Sequence, residues 1–356
     1  MIDNFEILEN YVIPKKLFLS MLKAYKNIGK SEIYLNNLES KMEQIENSTL
    51  EKDVYFFCKI LENYNIISPI SDNRMKLLIT KNSEPKNMNE KMVTGVKKVI
   101  SDIFTRDYLE TINSSDVLMY LNIIFNNRIK FDMRALKDKS QLKINSNAST
   151  RAVFNDVIEK YFIHLTLNYY EPLMLSIIAF LELWMIKPYR NIKEEEDPNF
   201  VASLLLLYYM IQHMDIKNFR IVSFFYRIYD TFDELEKEIR IATVNYGENY
   251  FKLNEITLYF LNIINNSFDS IANETKKYLS EEKYNKSLNV ESTILSLEKC
   301  FTKDDIRQIH PYVSESTIMR ALIKLRDEKL IQPLGTGRNA KWLRLIEDND
   351  PRRFLR

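Results

Sequence analysis

The sequence is poor in glycine, cysteine and histidine. It contains 5 glycines among 356 residues, and long segments repeat apolar residues at spacings of three and four, which predicts a mainly helical fold. The 2 cysteines, Cys58 and Cys300, lie far apart and show no metal-ligand spacing, so neither a disulfide framework nor a zinc site is expected. The 3 histidines are isolated from one another and from other zinc-ligand residues. We therefore expect no metal.

We expect neither a membrane span nor an export signal. The two most apolar stretches, 173–186 and 200–214, are shorter than the roughly 18 to 20 residues that a membrane helix needs. The first residues, Met1-Ile2-Asp3-Asn4, are acidic where a secretory signal is basic, and no apolar segment follows them. We expect a cytoplasmic protein with no membrane partner.

The whole chain has almost no net charge, but its last part is basic. With 50 Lys and Arg against 49 Asp and Glu, the net charge is +1, so bulk charge does not favour nucleic acid as a partner. Residues 302–356 carry twelve basic and eight acidic side chains, a net charge of +4. If nucleic acid is a partner, we therefore expect this C-terminal part to bind it.

Apolar periodicity predicts a succession of helices and three regions. The predicted helices cover 14–27, 31–46, 50–64, 71–79, 91–104, 115–126, 148–167, 171–186, 199–213, 216–230, 232–244 and 251–277. Polar breaks fall at 82–89 and 137–147, and a charged stretch at 276–290 marks a domain boundary. We predict an N-terminal helical region at 1–90, a helical core at 91–280 and a separate C-terminal domain at 291–350.

A short motif lies between the two most apolar helices. It reads Lys187-Pro188-Tyr189-Arg190-Asn191 and is followed by the acidic run Glu194 to Asp197. This segment resembles the motif of the Fic family, which reads His-Pro-Phe, two residues, Gly-Asn-Gly-Arg, two residues, Arg, and opens a helix. The resemblance implies a Fic-like helical fold.

The departures from the family motif remove its chemistry. Lys187 replaces the catalytic histidine, and a lysine is normally protonated and a poor base. Ile192 and Glu194 replace the two glycines, Lys193 the asparagine and Glu195 the first arginine, so the loop lacks the flexible phosphate cradle. We expect no catalytic residue, no cofactor and no nucleotide transfer.

Two alternatives stay open for this segment. An active transferase with a noncanonical site, adding AMP or a related phosphate group to protein hydroxyls, would require Lys187 to be buried and deprotonated. The acidic run 194–197 suits a divalent cation, although such a run before a helix is more often a solvated helix start.

A second resemblance lies near the N-terminus. Residues 38–50 are similar to the autoinhibitory segment of many Fic proteins, whose pattern is Ser or Thr, three residues, Glu, then Gly or Asn. Glu46 and Asn47 fit the end of this pattern, with Met42 at the Ser or Thr position. In the family this glutamate pairs with the second arginine of the motif. That arginine is not identifiable here, so a surface glutamate at a helix end is the alternative.

Residues 302–345 predict a winged helix, a module that many Fic proteins carry at this end. Thr302 and Asp305 form a capping-box pattern, Ser314 begins a second helix, and Gly335-Thr336-Gly337 turns a hairpin that ends near Trp342. A buried face of Ile318, Ala321, Leu322 and Leu325 leaves polar residues outside. The predicted contacts to double-stranded DNA are Ser316, Thr317, Arg320, Lys324, Arg338 and Lys341.

The whole sequence therefore predicts a catalytically degenerate Fic-like protein, a pseudoenzyme that regulates transcription as a homodimer. DNA is the first expected partner of the winged helix. A winged helix can also dock proteins, so a pure protein-interaction role is the second possibility.

Overall fold

The computed structural model of the chain describes residues 5–36, 42–106, 111–132, 149–193, 196–214, 216–248, 250–284, 286–310, 313–335 and 340–345. Helices dominate these residues, so the predicted mainly helical fold is confirmed. The chain divides into two compact units, Met1–Ala272 and Asn273–Arg356. The division falls eight residues before the predicted end of the core and inside a long helix, and the predicted bounds at 90, 280 and 291 stay predictions.

The elements follow one another in this order. The α-helices are α1 (Lys15–Asn36), α2 (Met42–Asn63), α3 (Asp72–Lys81), α4 (Met88–Thr105), α5 (Ser114–Ile124), α6 (Thr150–Leu167), α7 (Pro172–Ile186), α8 (Pro198–His213), α9 (Phe224–Asp230), α10 (Phe232–Thr243), α11 (Leu253–Tyr284), α12 (Lys286–Ser296), α13 (Lys303–Ile309) and α14 (Glu315–Asp327). The strands are β1 (Ile129–Phe131), β2 (Tyr189–Asn191), β3 (Cys300–Phe301), β4 (Ile331–Pro333) and β5 (Trp342–Arg344). Short 3₁₀ helices cover Glu6–Leu8, Lys217–Arg220 and Tyr246–Glu248.

Helices α7 and α8 form the centre of the N-terminal unit. They pack on each other, α6 packs on α7, and α4 and α5 pack on α8. Every residue of α8 from Pro198 to Ile211 is buried, as expected for a helix that is apolar on all sides. Each helix begins with an acidic cap followed by proline, Glu171-Pro172 and Asp197-Pro198, a sequence that suits the first turn because proline has no N–H to satisfy.

The predicted helices 14–27, 31–46 and 50–64 were divided wrongly. Helix α1 continues through 28–30 to Asn36, and α2 runs from Met42 to Asn63. The predicted break at 47–49 is absent, because Thr49 is buried within the helix and its hydroxyl donates to the carbonyl of Ile221 at 2.9 Å. Tyr64, just beyond the end of α2, stacks on Phe200 in the first turn of α8 with ring centroids 3.7 Å apart. Asp53, near the middle of α2, meets Tyr208 of α8. The two helices are therefore antiparallel.

The predicted helix 216–230 is two elements in the structure. A 3₁₀ helix covers Lys217–Arg220, and α9 begins after Ser223, whose side chain accepts from the Tyr226 N–H. Ser223 is a good helix cap, and a cap of this type inside an apolar run starts a new helix and ends the old one.

A two-stranded antiparallel sheet holds the motif segment. Strand β2 pairs with β1, with Asn191 opposite Ile129 and Tyr189 opposite Phe131. The segment that was predicted as a loop between two helices is thus partly a strand. Its backbone geometry is set by a partner sixty residues earlier in the sequence, which no local pattern reveals.

In its described residues, the C-terminal unit contains the last part of α11, the helices α12, α13 and α14, and a three-stranded antiparallel sheet. Its strand order is β3-β5-β4, and its elements run α12, β3, α13, α14, β4, β5. The predicted caps are confirmed, since Thr302 and Asp305 form a capping box and Ser314 caps α14. The predicted buried face of α14 is confirmed as well.

Helix α12 and strand β3 of this unit were not predicted. Helix α12 lies partly in the charged stretch that the sequence marked as a boundary, and its apolar residues Val290, Ile294 and Leu295 join the same core as Phe301 and Trp342. Four apolar side chains in eleven residues, within a charged stretch, are too few for periodicity to stand out from a linker.

Gly95 permits the close approach of α4 and α5. A Cβ at this position would lie 2.7 Å from the Ile123 carbonyl oxygen and 2.9 Å from the Ile124 Cα. Both are backbone atoms, so they cannot move aside without shifting α5. We expect Gly95→Ala to lower the free energy of unfolding by roughly 1–3 kcal/mol, the cost of overpacking, despite the better helix propensity of alanine.

Gly29 in α1 provides the matched control. A Cβ there meets nothing within 4 Å, and the residue is exposed. We expect Gly29→Ala to raise stability by about 0.5–1 kcal/mol through helix propensity alone. Urea unfolding followed by helical circular dichroism measures both changes, and equal effects at the two positions would contradict the close approach.

Candidate functional site

The motif segment begins with a buried anchor. Lys187 caps the end of α7 in the left-handed region with φ 50°, which turns the chain into β2. Tyr189 is buried against Phe131 and Phe154, with ring centroids at 5.6 and 6.2 Å, and its hydroxyl donates to the Ser114 carbonyl at 2.8 Å. Burial raises the pKa of Tyr189 well above its usual value. The tyrosine therefore serves the fold and is not available as a proton donor or acceptor in the loop.

Asn199 holds this anchor from the first turn of α8. Its Oδ1 accepts from the Tyr189 N–H at 2.9 Å, and its Nδ2 donates to the Tyr189 carbonyl at 2.8 Å and to Asp197 Oδ1 at 2.9 Å. The side chain is buried and fully used. Asn199 was not predicted as a site residue; its position at the polar start of an otherwise apolar helix is the signal that points to it.

The N-terminus of α8 is occupied by the chain's own carboxylate. Asp197 Oδ1 accepts from the Asn199 N–H at 2.9 Å, and Asp197 Oδ2 lies 3.2 Å from Lys187 Nζ. A helix N-terminus of this kind favours anions, and here Asp197 fills that role. The Lys187 side chain is 57% exposed, so it is solvated and not buried as general-base chemistry requires.

The rest of the motif segment is similarly engaged. Asn191 is buried, donates from Nδ2 to Glu196, and accepts from the Lys193 N–H at 3.1 Å, while Arg190 and Ile192 are exposed. Glu194 and Glu195 lie outside the described residues. Among the residues that the structure describes, no group of three or more His, Cys, Asp or Glu is arranged to hold a metal.

Glu46 lies at the wrong end of α2 for the implied inhibitory contact. Its carboxylate is 3.3 Å from the Arg220 guanidinium, which follows the end of α8 and lies over the Phe104 ring at 5.2 Å. The motif meets the other end of α2, where Tyr64 stacks on Phe200, about 25 Å away at the 1.5 Å rise per residue of a helix. The ion-pair partner of Glu46 is therefore Arg220, outside the motif, and its inhibitory role stays a prediction.

The same pattern occurs again at the other end of α2. Glu62-Asn63 ends the helix four residues after Cys58, which stands where the pattern has Ser or Thr. Glu62 already accepts from Lys59 at 2.9 Å and from the Ile70 N–H at 2.8 Å. This second occurrence lies at the end of α2 that meets the first turn of α8, but its carboxylate is directed to Lys59 of the same helix and to the loop before α3.

The first two turns of α14 present three of the predicted DNA contacts together. Ser316 and Arg320 are exposed and Thr317 is half-buried. Arg320 Nε donates to the Ser316 carbonyl at 3.3 Å, and the Ser314 hydroxyl lies 2.9 Å from the hydroxyls of both Ser316 and Thr317. These contacts place polar groups of one helix turn on the same side.

Lys324 is committed to the unit's own core. Its ammonium lies 2.7 Å from Glu291, a buried carboxylate on α12, and this hydrogen bond raises the pKa of Lys324. An ammonium that neutralises a buried acid supports the packing of α12 on α14. Lys324, a predicted DNA contact, therefore also forms a structural ion pair within the unit, and its contact to DNA stays a prediction.

Of the two DNA contacts predicted on the hairpin, the structure describes Lys341. Lys341 is exposed just before β5, and its carbonyl accepts from the Leu334 N–H at 2.8 Å across the hairpin. Arg338, predicted beside it, lies outside the described residues.

In the ranges that the structure covers, no helix is both long and apolar enough to span a membrane.

The helical unit around α7 and α8 has the fold of Fic family proteins. A Fic family protein from Desulfovibrio desulfuricans G20 matches over 96% of this chain and 99% of that chain, with a TM-score of 0.52 and 9% identity. A Fic domain containing signaling protein from Bacteroides thetaiotaomicron VPI-5482 matches over 70% of this chain and 98% of that chain, with a TM-score of 0.50 and 12% identity. No protein-family model and no curated protein matches. The Fic-like fold predicted from the motif is thus confirmed, and at these identities the likeness concerns the fold alone.

Proposed function

We propose that this chain is a Fic-like pseudoenzyme that binds double-stranded DNA through its C-terminal unit and regulates transcription. The observation that carries the proposal is the order of elements in that unit, with an exposed polar first turn on α14. The helical unit would then contribute structure, partner binding or ligand response without nucleotide transfer.

The order of elements supports a winged helix. Helix, strand, two helices and two strands, with β3 adding to the hairpin of β4 and β5, is the arrangement in which the third helix reads the major groove. Here the third helix is α14. Its buried face contacts α12 and β4, so the opposite face is directed to solvent.

The residues divide into roles by their contacts. Ser316, Thr317 and Arg320 would contact base edges because they lie in the first turns of α14. Lys341, and Arg338 outside the described residues, would contact phosphates beside the hairpin. Lys324 would in addition hold α12 against α14.

Loss of nucleotide transfer is supported by the contacts of the motif segment. Lys187 stands in the place of the histidine, is exposed and is paired with Asp197, while Asp197 itself occupies the helix N-terminus. A triphosphate brought to this point would meet carboxylates where the family motif offers glycine amides and arginine.

A transfer assay tests this part of the proposal. We expect no label to reach the protein or an added protein mixture from α-labelled ATP with Mg²⁺ or Mn²⁺. The variant Lys187→His should remain inactive, because the base alone restores neither the phosphate cradle nor the blocked helix N-terminus. Incorporation that Lys187→Ala abolishes would support the alternative transferase with a noncanonical site.

A homodimer in the cytoplasm completes the proposal. A dimer of winged helices would bind two half-sites about one helical turn apart, so the operator would be palindromic. Selection of double-stranded DNA from a random pool at about 150 mM salt tests this, because weak nonspecific contacts are screened there. An enriched palindrome is the expected result. A protein that enriches no sequence, yet retains its fold, would favour a protein-docking role.

A further inference from the structure

A cavity of about 400 Å³ lies in the N-terminal unit, away from the motif segment. Its walls come from α1, the turn between α6 and α7, the end of α8, and α11, and they are mainly apolar, as Ala24, Ile28, Leu261 and Ile264 illustrate. The volume is within the range of about 300–1,000 Å³ that is typical of small-molecule sites. The cavity therefore suits a compact apolar body.

One carboxylate lines this apolar cavity. Glu171 caps α7: its Oε2 accepts from the Met174 N–H at 2.7 Å, and its Oε1 accepts from the Tyr25 hydroxyl at 2.7 Å. The described residues that line the cavity include no lysine or arginine, and burial raises the pKa of the Glu171 carboxyl. Its negative charge thus faces an apolar space and, within the described part of the chain, has hydrogen bonds but no cationic partner.

The other polar lining groups do not change this balance. His213 lines the same cavity, and its Nδ1 lies 2.7 Å from the Tyr209 carbonyl while its ring stacks on the Tyr209 ring. The imidazole is therefore held toward Tyr209. Tyr25 is half exposed and marks the side on which the cavity meets solvent.

We propose that this cavity binds a small primary amine with an apolar body, with the ammonium group paired to Glu171. A buried charge is costly unless it is paired, so ligand and carboxylate would each supply the charge that the other lacks. An ammonium has three donors and reaches a carboxylate oxygen that already accepts one bond. A carboxylate or phosphate ligand would instead be repelled.

The proposed site is distinct from the nucleotide site of the fold. Glu171 and Lys187 lie at opposite ends of α7, about 22 Å apart along a helix of fifteen residues. The amine site can therefore exist whether or not the C-terminal unit binds DNA, and the two proposals are tested by separate measurements.

Calorimetric titration of the full-length protein tests the proposal with three probes of similar size. These are 2-phenylethylamine, 2-phenylethanol and 3-phenylpropanoate, each taken to millimolar concentration. We expect the amine to bind at least tenfold more tightly than the alcohol and the carboxylate to bind most weakly. An amine that does not bind to the folded protein, or binds no better than the alcohol, overturns the proposal.

Two variants with the same loss of charge separate pairing from general electrostatics. Glu171→Gln keeps an acceptor for the Met174 N–H and should remove the preference for the amine over the alcohol. Glu159→Gln changes an exposed carboxylate on α6 and should leave the amine affinity unchanged. Equal effects of the two variants would contradict a specific pairing.

A cavity-filling variant locates the binding. Ala24→Leu should abolish binding of all the probes, and Ile28→Phe, a milder change at a less buried position, provides a second blocker if Ala24→Leu unfolds. Circular dichroism verifies the fold of each variant. Retained amine affinity in a folded blocked variant would place the binding elsewhere and reject this site.

Discussion

Arg320→Ala is expected to reduce the affinity for the selected DNA by about tenfold to a hundredfold, the effect of losing one base contact worth roughly 1–3 kcal/mol. Arg320 is exposed in the second turn of α14. Its Nε donates to the Ser316 carbonyl of the same helix. Its removal therefore leaves the core of the unit unchanged. Fluorescence anisotropy with the enriched sequence and with a scrambled duplex measures the loss.

Arg326→Ala is the matched control on the same helix. Arg326 is exposed near the end of α14 and pairs with the neighbouring Asp327 at 2.8 Å. Both variants replace an arginine by alanine, so they change the charge of the protein by the same amount. It should lower the affinity for both duplexes slightly and equally, because some electrostatic attraction is lost. If Arg320→Ala and Arg326→Ala lower the affinity for both duplexes to the same extent, α14 does not read bases. The proposed role of its first turns is then wrong.

Lys324→Ala should behave differently from both arginine variants. Removing this ammonium takes away the ion pair of Glu291, a largely buried carboxylate on α12, so the expected loss is in the stability of the C-terminal unit. A loss of DNA affinity in Lys324→Ala that is accompanied by unfolding would therefore say nothing about contact with DNA. This is why Arg320 alone is the informative substitution.

The N-terminal unit is expected to lose stability as the pH rises from about 4 to about 7, through the titration of Asp53. Asp53 is fully buried and links three helices: it accepts from the Tyr208 hydroxyl at 2.9 Å, the Ser223 hydroxyl at 2.7 Å and the Phe225 N–H at 2.9 Å. Burial raises its pKa from 3.8 to about 7, although the hydrogen bonds act in the opposite direction. The folded state thus holds a proton that the unfolded state has released across this interval.

The sign follows from proton binding in the two states. Between the unfolded and folded pKa values the folded state binds more protons, so stability falls as pH rises, by an amount on the order of 4 kcal/mol if the whole shift is realised. Asp53→Asn carries no charge at any pH and should remove this part of the pH dependence. Urea unfolding of both proteins at about pH 5 and pH 8 measures it: the variant should gain on the wild type at the higher pH.

Asp53→Ala serves as the contrast for the Asp53 cluster. It removes the acceptor entirely and leaves buried donors from Tyr208, Ser223 and Phe225 without a partner, so it should destabilise the unit at every pH, by roughly 1–3 kcal/mol for each unsatisfied group. Parallel pH profiles for the wild type and Asp53→Asn would show that Asp53 does not titrate in this interval.

Local signals in the sequence were sufficient for most helices and for their caps. The apolar runs that became α7 and α8 and the caps of Thr302 and Ser314 are properties of short segments, and the structure has them where the sequence predicts them. The motif around Pro188 and Tyr189 predicted the Fic-like fold for the same reason, since its position between two apolar helices is visible in the linear sequence.

The partners of charged and polar side chains were not predictable in this way. The ion pair of Lys324 joins residues 33 positions apart, and the pair of Glu46 with Arg220 spans 174. The hydrogen bonds of Asp53 to Ser223 and Phe225 span 170 and 172 positions. No periodicity relates such residues, because they meet only after the helices have packed.

The sequence by itself thus determined the helical class and the resemblance to the family motif, with Lys187 where that motif has histidine and Glu195 where it has arginine. The tertiary structure alone decided that Asp197 occupies the N-terminus of α8, that Glu46 lies far from the motif, and that Glu171 faces an apolar cavity. The physical reason is range: helix propensity, capping and apolar periodicity act within a few turns, whereas charge pairing and cavity shape depend on segments brought together by packing.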